Sequence, residues 1–233
     1  MTAKYICETY VDEVCVLLII SNLLIISTLL IRQKQIPIEI IILFMVYNLA
    51  SLADSLLGIL NLYFQIKTNL EISQYNYEVM QWIIFLIFYF KTERKLILKK
   101  IYIFLFYFIF IYLFIIAFIN IYYEDYILRY VLHGFFLTIV PISLYRLFEL
   151  PASNNTYKNY QSPEFYINCG ISIFLLPNFC SFLFGGTIYL KMVEVFYILV
   201  IIVWLSFFIF QAFVLKGLLT YKLYTKSINL END

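Results

Sequence analysis

Seven long apolar stretches, separated by short polar or charged segments, dominate this chain and restrict the solvent in which it can fold. Helical spans are expected at 13–31, 37–62, 72–90, 101–122, 127–147, 165–187 and 193–215, since about 20 apolar residues rising 1.5 Å each cross the hydrocarbon core of a bilayer. With 64% hydrophobic and only 13% charged residues among 233, there is too little polar surface to cover a soluble domain. Ile, Phe and Tyr crowd the stretches and favour strands in water. Lipid offers no water to unpaired backbone groups, so long unbroken runs become helices instead. The expected fold class is all-α: one seven-transmembrane helix bundle over 1–233.

The cations orient it. Of 16 Lys and Arg residues, Arg32, Lys34, Lys91, Arg94, Lys95, Lys99, Lys100, Arg146, Lys158, Lys216, Lys222 and Lys226 fall on one side when all seven spans cross. Lys4, Lys67, Arg129 and Lys191 spread singly over the four outer segments. The positive-inside rule makes the richer side cytoplasmic and leaves the N-terminus outside. The third span is the weakest, because Glu78 and Gln81 interrupt its outer half and only Trp82 to Phe90 is strongly apolar. If it failed to cross, the charge pattern would collapse. Glu8, Asp12 and Glu13 precede the first span and no small-residue cleavage site follows it, so that span is expected to be retained.

Connections are short, which leaves no room for an extramembrane domain. The longest, 148–164, carries Pro151, an Asn/Ser/Tyr-rich stretch and Pro163, and reads as an irregular cytoplasmic loop suited to a partner. The tail from Lys216 to Asp233 reads as a short juxtamembrane helix. Cys7, Cys15, Cys169 and Cys180 show no CxxC spacing, and no disulfide framework is expected. A net charge of +1 gives no reason to invoke nucleic acid; the cluster Lys91 to Lys100 reads as a topological stop and anionic-lipid contact.

Function must be sought among polar residues inside the bilayer, where an ionisable group costs several kcal/mol unless protonated, paired or hydrated. Asp54 is the strongest candidate. Asn48, Ser51, Asp54, Ser55, Gly58 and Asn61 recur at three- and four-residue steps, which places them on one stripe of the second span. Asp54, His133 and Glu78 lie roughly 12, 9 and 9 Å below the outer surface at 1.5 Å per residue, and so could share one layer. Asn61 and Gln81 belong to the same outer half, giving a candidate ligand or proton site open to the outside. A histidine paired with Asp54 would offer a route to pH sensing. The plainer alternative is a protonated Asp54 that only ties helices together.

Pro177 in the sixth span and Pro141 in the fifth each remove a backbone donor, giving either a gating hinge or a fixed kink. At the inner end, Glu39 is expected to pair with Arg146 or Arg32, and Arg146 and Glu149, with Pro151, form a charged end suited to partner contact. A single histidine argues against a metal-hydrolase site, and neither HExxH nor GxSxG occurs. The last span holds no lysine before Lys216, which excludes a retinal-linked pump. No cofactor or metal is expected.

The run Leu144-Tyr145-Arg146-Leu147-Phe148-Glu149-Leu150-Pro151, followed by Ser162-Pro163-Glu164-Phe165-Tyr166-Ile167-Asn168-Cys169-Gly170, resembles a group of uncharacterised seven-span bacterial proteins. In that group the fifth span ends in a similar Glu-Leu-Pro and the sixth opens with Pro–aromatic–Gly. This chain has Tyr166 where the group has a tryptophan, and adds Pro177. Members often accompany sensor histidine kinases, so the resemblance implies a sensory or signalling accessory of a bacterial inner membrane, with such a kinase, another membrane partner or a second copy beside it. Two other classes stay open. A small-solute or ion transporter or channel needs a continuous polar path, and the inner half offers only Asn22, Asn48, Asn168 and Gln211. A lipid-modifying enzyme needs two carboxylates, for which Asp54 and Glu78 are the available pair.

Overall fold

The apolar stretches satisfy their backbone groups within their own segments, as lipid requires. The computed structural model describes residues 2–64, 70–93, 95–120, 139–148 and 162–229, with the backbone alone for 61–64, 70–79, 109, 112–120, 181–191 and 222–229. Seven helices and no strand occur among the described residues: α1 (Ala3–Ile31), α2 (Ile38–Phe64), α3 (Leu70–Thr92), α4 (Leu96–Asn120), α5 (Ile139–Phe148), α6 (Pro163–Lys191) and α7 (Val193–Asn229). Three segments, Ala3–Ile31, Ile38–Leu60 and Val193–Tyr221, are long and apolar enough to cross a membrane, and Met80–Thr92 and Ile139–Phe148 are shorter apolar helices. The chain is an all-helical protein of membrane type.

Two helices outrun their expected bounds. α1 starts well ahead of position 13, because Thr2 caps it by accepting the Tyr5 N–H at 3.3 Å. α7 continues past 215 without a break, so the expected juxtamembrane helix is its extension.

Residue pairs fix helix directions. Ala3 N–H donates to Glu194 (3.0 Å), the Cys7 thiol to the Tyr197 carbonyl (3.6 Å) and Arg32 to the Leu219 carbonyl (2.9 Å). Both numbers of each pair climb together, so α1 and α7 run parallel. Phe44 meets Phe88 and Tyr47 meets Phe85, which makes α2 and α3 antiparallel. Tyr89 neighbours Ser143 while Glu93 meets Arg146, so α3 and α5 are parallel. α6 and α7, joined through Met192, form an antiparallel hairpin in which Phe174 meets Phe207 and Ile167 lies against Gly217.

That hairpin is close-packed because two glycines allow it. A Cβ on Gly170 would stand 2.9 Å from Phe213 Cβ and 3.1 Å from the Phe210 carbonyl, and one on Gly217 2.8 Å from Ile167 Cγ1. In lipid, where apolar helices gain little from leaving the solvent, such contact is a main source of association.

The centre of the bundle is aromatic. The Phe210 ring packs against Tyr47 (5.4 Å between centroids), Phe85 (5.8 Å), Phe174 (5.4 Å) and Phe207 (6.2 Å), mostly edge to face. This cluster joins α2, α3, α6 and α7. From Gln81 onward α3 is well buried, with Gln81, Trp82, Phe85, Leu86, Phe88 and Tyr89 all inside and Ile83, Ile87 and Phe90 half-buried on the remaining face. α4 is its opposite: Ile97, Ile101, Phe104, Phe108 and Ile111 are exposed, and Tyr102 is its one buried side chain among those described.

Candidate functional site

The polar stripe of α2 faces α1. Asn48, Ser51 and Ser55 are buried, and Asp54 between them is half-buried. The Asn22 amide donates to the Ser51 hydroxyl at 3.0 Å, and the Gln211 amide donates to Asn22 Oδ1 at 3.2 Å. One amide of α1 thus ties α2 to α7. Asn48 donates to the Phe44 carbonyl of its own helix (2.7 Å), as Ser55 does to the Ser51 carbonyl (2.9 Å). Asn48 Oδ1 and Gln211 Oε1 meet no protein donor. Asp54 lies across from Cys15 of α1, whose other acidic neighbour is Asp12.

Gln81 donates to the Tyr47 hydroxyl at 3.2 Å, bridging α3 and α2. Extending the register of Phe44 with Phe88 and Tyr47 with Phe85 along the two antiparallel helices brings positions 54 and 78 to one level. The side chains of Asn61 and Glu78, and the whole of His133, Glu149 and Pro151, lie outside the described residues. Pro141 is exposed on α5, and α6 passes through Pro177 from Pro163 to Lys191. There the Asn178 amide donates to the Phe174 carbonyl at 2.8 Å.

A second polar group lies at the other end of the bundle, and the sequence reading missed its key member. Arg146 does not pair with Glu39, which is exposed. Its guanidinium meets the Glu93 carboxylate at 3.2 Å, with side-chain exposures of 9% and 1%, and donates to the Thr92 carbonyl at 2.9 Å. Arg32, the other partner expected for Glu39, donates to the Leu219 carbonyl. Glu93 also accepts the Lys95 N–H (2.8 Å) and the Tyr102 hydroxyl (3.4 Å). A carboxylate so enclosed needs several donors in place of its lost water.

The signal for Glu93 was present: it is the lone carboxylate in the basic run from Lys91 to Lys100. Its N–H bonds the Tyr89 carbonyl at 2.9 Å, so it extends the last turn of α3 and points into the bundle. Around it, Ser143 and Ser172 share a hydrogen bond, Asn168 donates to the Ser143 carbonyl (3.3 Å) and Lys95 Nζ to the Tyr145 hydroxyl (3.0 Å). These contacts join α3, α4, α5 and α6.

The four cysteines are free thiols, and no group of three or more His, Cys, Asp or Glu residues that would hold a metal occurs among the described residues. Comparison of the chain with protein-family models, with curated proteins and with solved structures gives no match, so its function rests on the geometry of these two polar groups.

Proposed function

We propose that the chain is a seven-span protein of a bacterial inner membrane, N-terminus outside and C-terminus cytoplasmic, that serves as a sensory or signalling subunit. The alternating helix directions support seven crossings, and they collect Arg32, Lys91, Lys95, Arg146 and Lys216 at one end of the bundle. Even the weak third span runs as one helix of 23 residues. At 1.5 Å per residue this is roughly 35 Å, enough to cross.

The observation that carries the signalling reading is the aromatic cluster around Phe210. It fills the space among α2, α3, α6 and α7 between the level of Asp54 and the basic end. A transporter needs a polar path there; a relay needs rigid contact. A ligand or proton at Asp54, with Glu78, His133, Asn61 and Gln81 around it, would shift α3 against α2 at the Gln81–Tyr47 bond. The rigid inner half of α3 would carry that shift to Glu93 and Arg146. From there the shift would pass to the cytoplasmic loop 148–164 with Glu149 and Pro151, where a sensor histidine kinase or another membrane partner would read it. Pro141 and Pro177 are the candidate hinges of this relay.

The test uses a photo-crosslinking residue in 148–162 to capture the partner, and compares partner phosphorylation in wild-type, Asp54→Asn and Glu93→Gln cells. Altered phosphorylation at normal expression of both variants is expected. Unchanged phosphorylation, or Asp54-dependent solute uptake into proteoliposomes, would overturn the proposal.

A further inference from the structure

We propose that the basic end of α3 and α4, together with the exposed face of α4, forms a retention site for an anionic phospholipid; the site rests on the membrane reading above but not on signalling. The charge is one-sided. Lys91 closes α3, Lys95 precedes α4, and Lys99 and Lys100 follow within its first turns, which contain no carboxylate. Glu93, the nearest acid, is turned inward and held by Arg146, Tyr102 and the Lys95 N–H. The surface therefore keeps its positive charge.

Two of these ammonium groups are positioned rather than loose. Lys95 Nζ donates to the Tyr145 hydroxyl and sits 5.7 Å from that ring centroid, and Lys99 Nζ sits 5.8 Å from the Phe90 ring. Ring faces hold cations by their quadrupole while leaving the N–H donors directed at water or a ligand. A phosphate diester carries the complementary charge and the acceptors.

The apolar half of the ligand is defined by α4. Lys100 stands at the basic end of the helix face that continues through Ile97, Ile101, Phe104 and Phe108, all exposed, with Phe104 and Phe108 stacked at 6.5 Å. At 3.6 residues per turn these positions fall within one broad stripe running down from Lys100, with Lys99 about 100° further round the helix towards Phe90. Acyl chains laid along that stripe put their headgroup phosphate at Lys100, at the edge of the positive end that Lys95 and Lys99 complete on the side of α3 and α5. A free phosphate would use only the upper part; a phosphatidylglycerol uses both.

Native mass spectrometry of the full chain in mild detergent, with dioleoyl phosphatidylglycerol or dioleoyl phosphatidylcholine added, tests the site. Wild type is expected to retain the glycerol lipid several-fold more than the choline lipid, and excess inorganic phosphate should not displace it. The Lys99→Gln/Lys100→Gln pair should fall to the choline level, whereas Lys34→Gln, on the same side, should keep the preference. Thermal unfolding in choline-lipid micelles verifies that the variants are folded; should the double variant unfold, Lys100→Gln alone is expected to lower the preference. Equal retention of both lipids, loss of preference in Lys34→Gln alike, or displacement by phosphate overturns the site. Retention of neither lipid would instead count against the membrane reading itself.

Discussion

The two buried polar groups solve one problem by different chemistry. On the side of α1, α2 and α7, neutral amides and a hydroxyl bond one another, and two carbonyl oxygens, Asn48 Oδ1 and Gln211 Oε1, meet no protein donor. On the side of α3, α4 and α5, full charges meet, and each Glu93 oxygen is taken by at least one donor. A neutral amide tolerates an unmet bond at a cost of about 1–3 kcal/mol, whereas a buried carboxylate that loses its donors costs more. The charged group is therefore the one in which truncating a single member costs most.

Arg146→Ala should give the largest effect, because it leaves Glu93 enclosed and uncompensated: about 3–5 kcal/mol of lost stability is expected from broken buried pairs. Unfolding titrations in detergent micelles measure it, and Glu93→Leu/Arg146→Met should recover most of the loss. A double variant as damaged as the single one would break the contrast. Gly170→Ala comes next, at about 1–3 kcal/mol for overpacking a closed seam; Gly58→Ala, where an added Cβ meets nothing within 4 Å, should be neutral or slightly stabilising. Equal melting shifts for the two glycine variants would show that the seam yields. Gln211→Leu should cost about 0.6–1.7 kcal/mol, the range for hydrogen bonds between membrane helices. A loss in Gln211→Leu as large as in Arg146→Ala would erase the distinction between the two groups. Smallest is Asp54→Asn, expected to stay within about 0.5 kcal/mol because shape is kept at a half-buried position.

That the chain is helical was legible in the sequence because lipid leaves long apolar runs no other way to satisfy their backbone groups. The depth of each helix within the bundle was not. Hydropathy made 72–90 look the weakest span, yet the inner half of α3 is well buried and the described side chains of α4 are mostly exposed. Both faces of a buried helix touch protein, so polar groups such as Gln81 find partners there; an outer helix must be apolar. Asp54 was singled out because a lone acid in an apolar run stands out, and it lies half-buried opposite Cys15. Glu93 was overlooked because five neighbouring cations made its segment read as a solvated loop, and because a single carboxylate there needs only one turn more of α3 to reach Arg146.

The parallel pairing of α1 with α7 bears on the order of assembly. A ribosome makes Asn22 before Ser51, and Gln211 only 189 residues after Asn22. Until then the Asn22 carbonyl oxygen lacks its final donor, and the flank of α1 that meets Glu194, Tyr197 and Leu219 is open to lipid. α1 is thus sealed only after α2 to α6 have been made, and a chain cut short before α7 would present an open edge by which unfinished copies can be recognised.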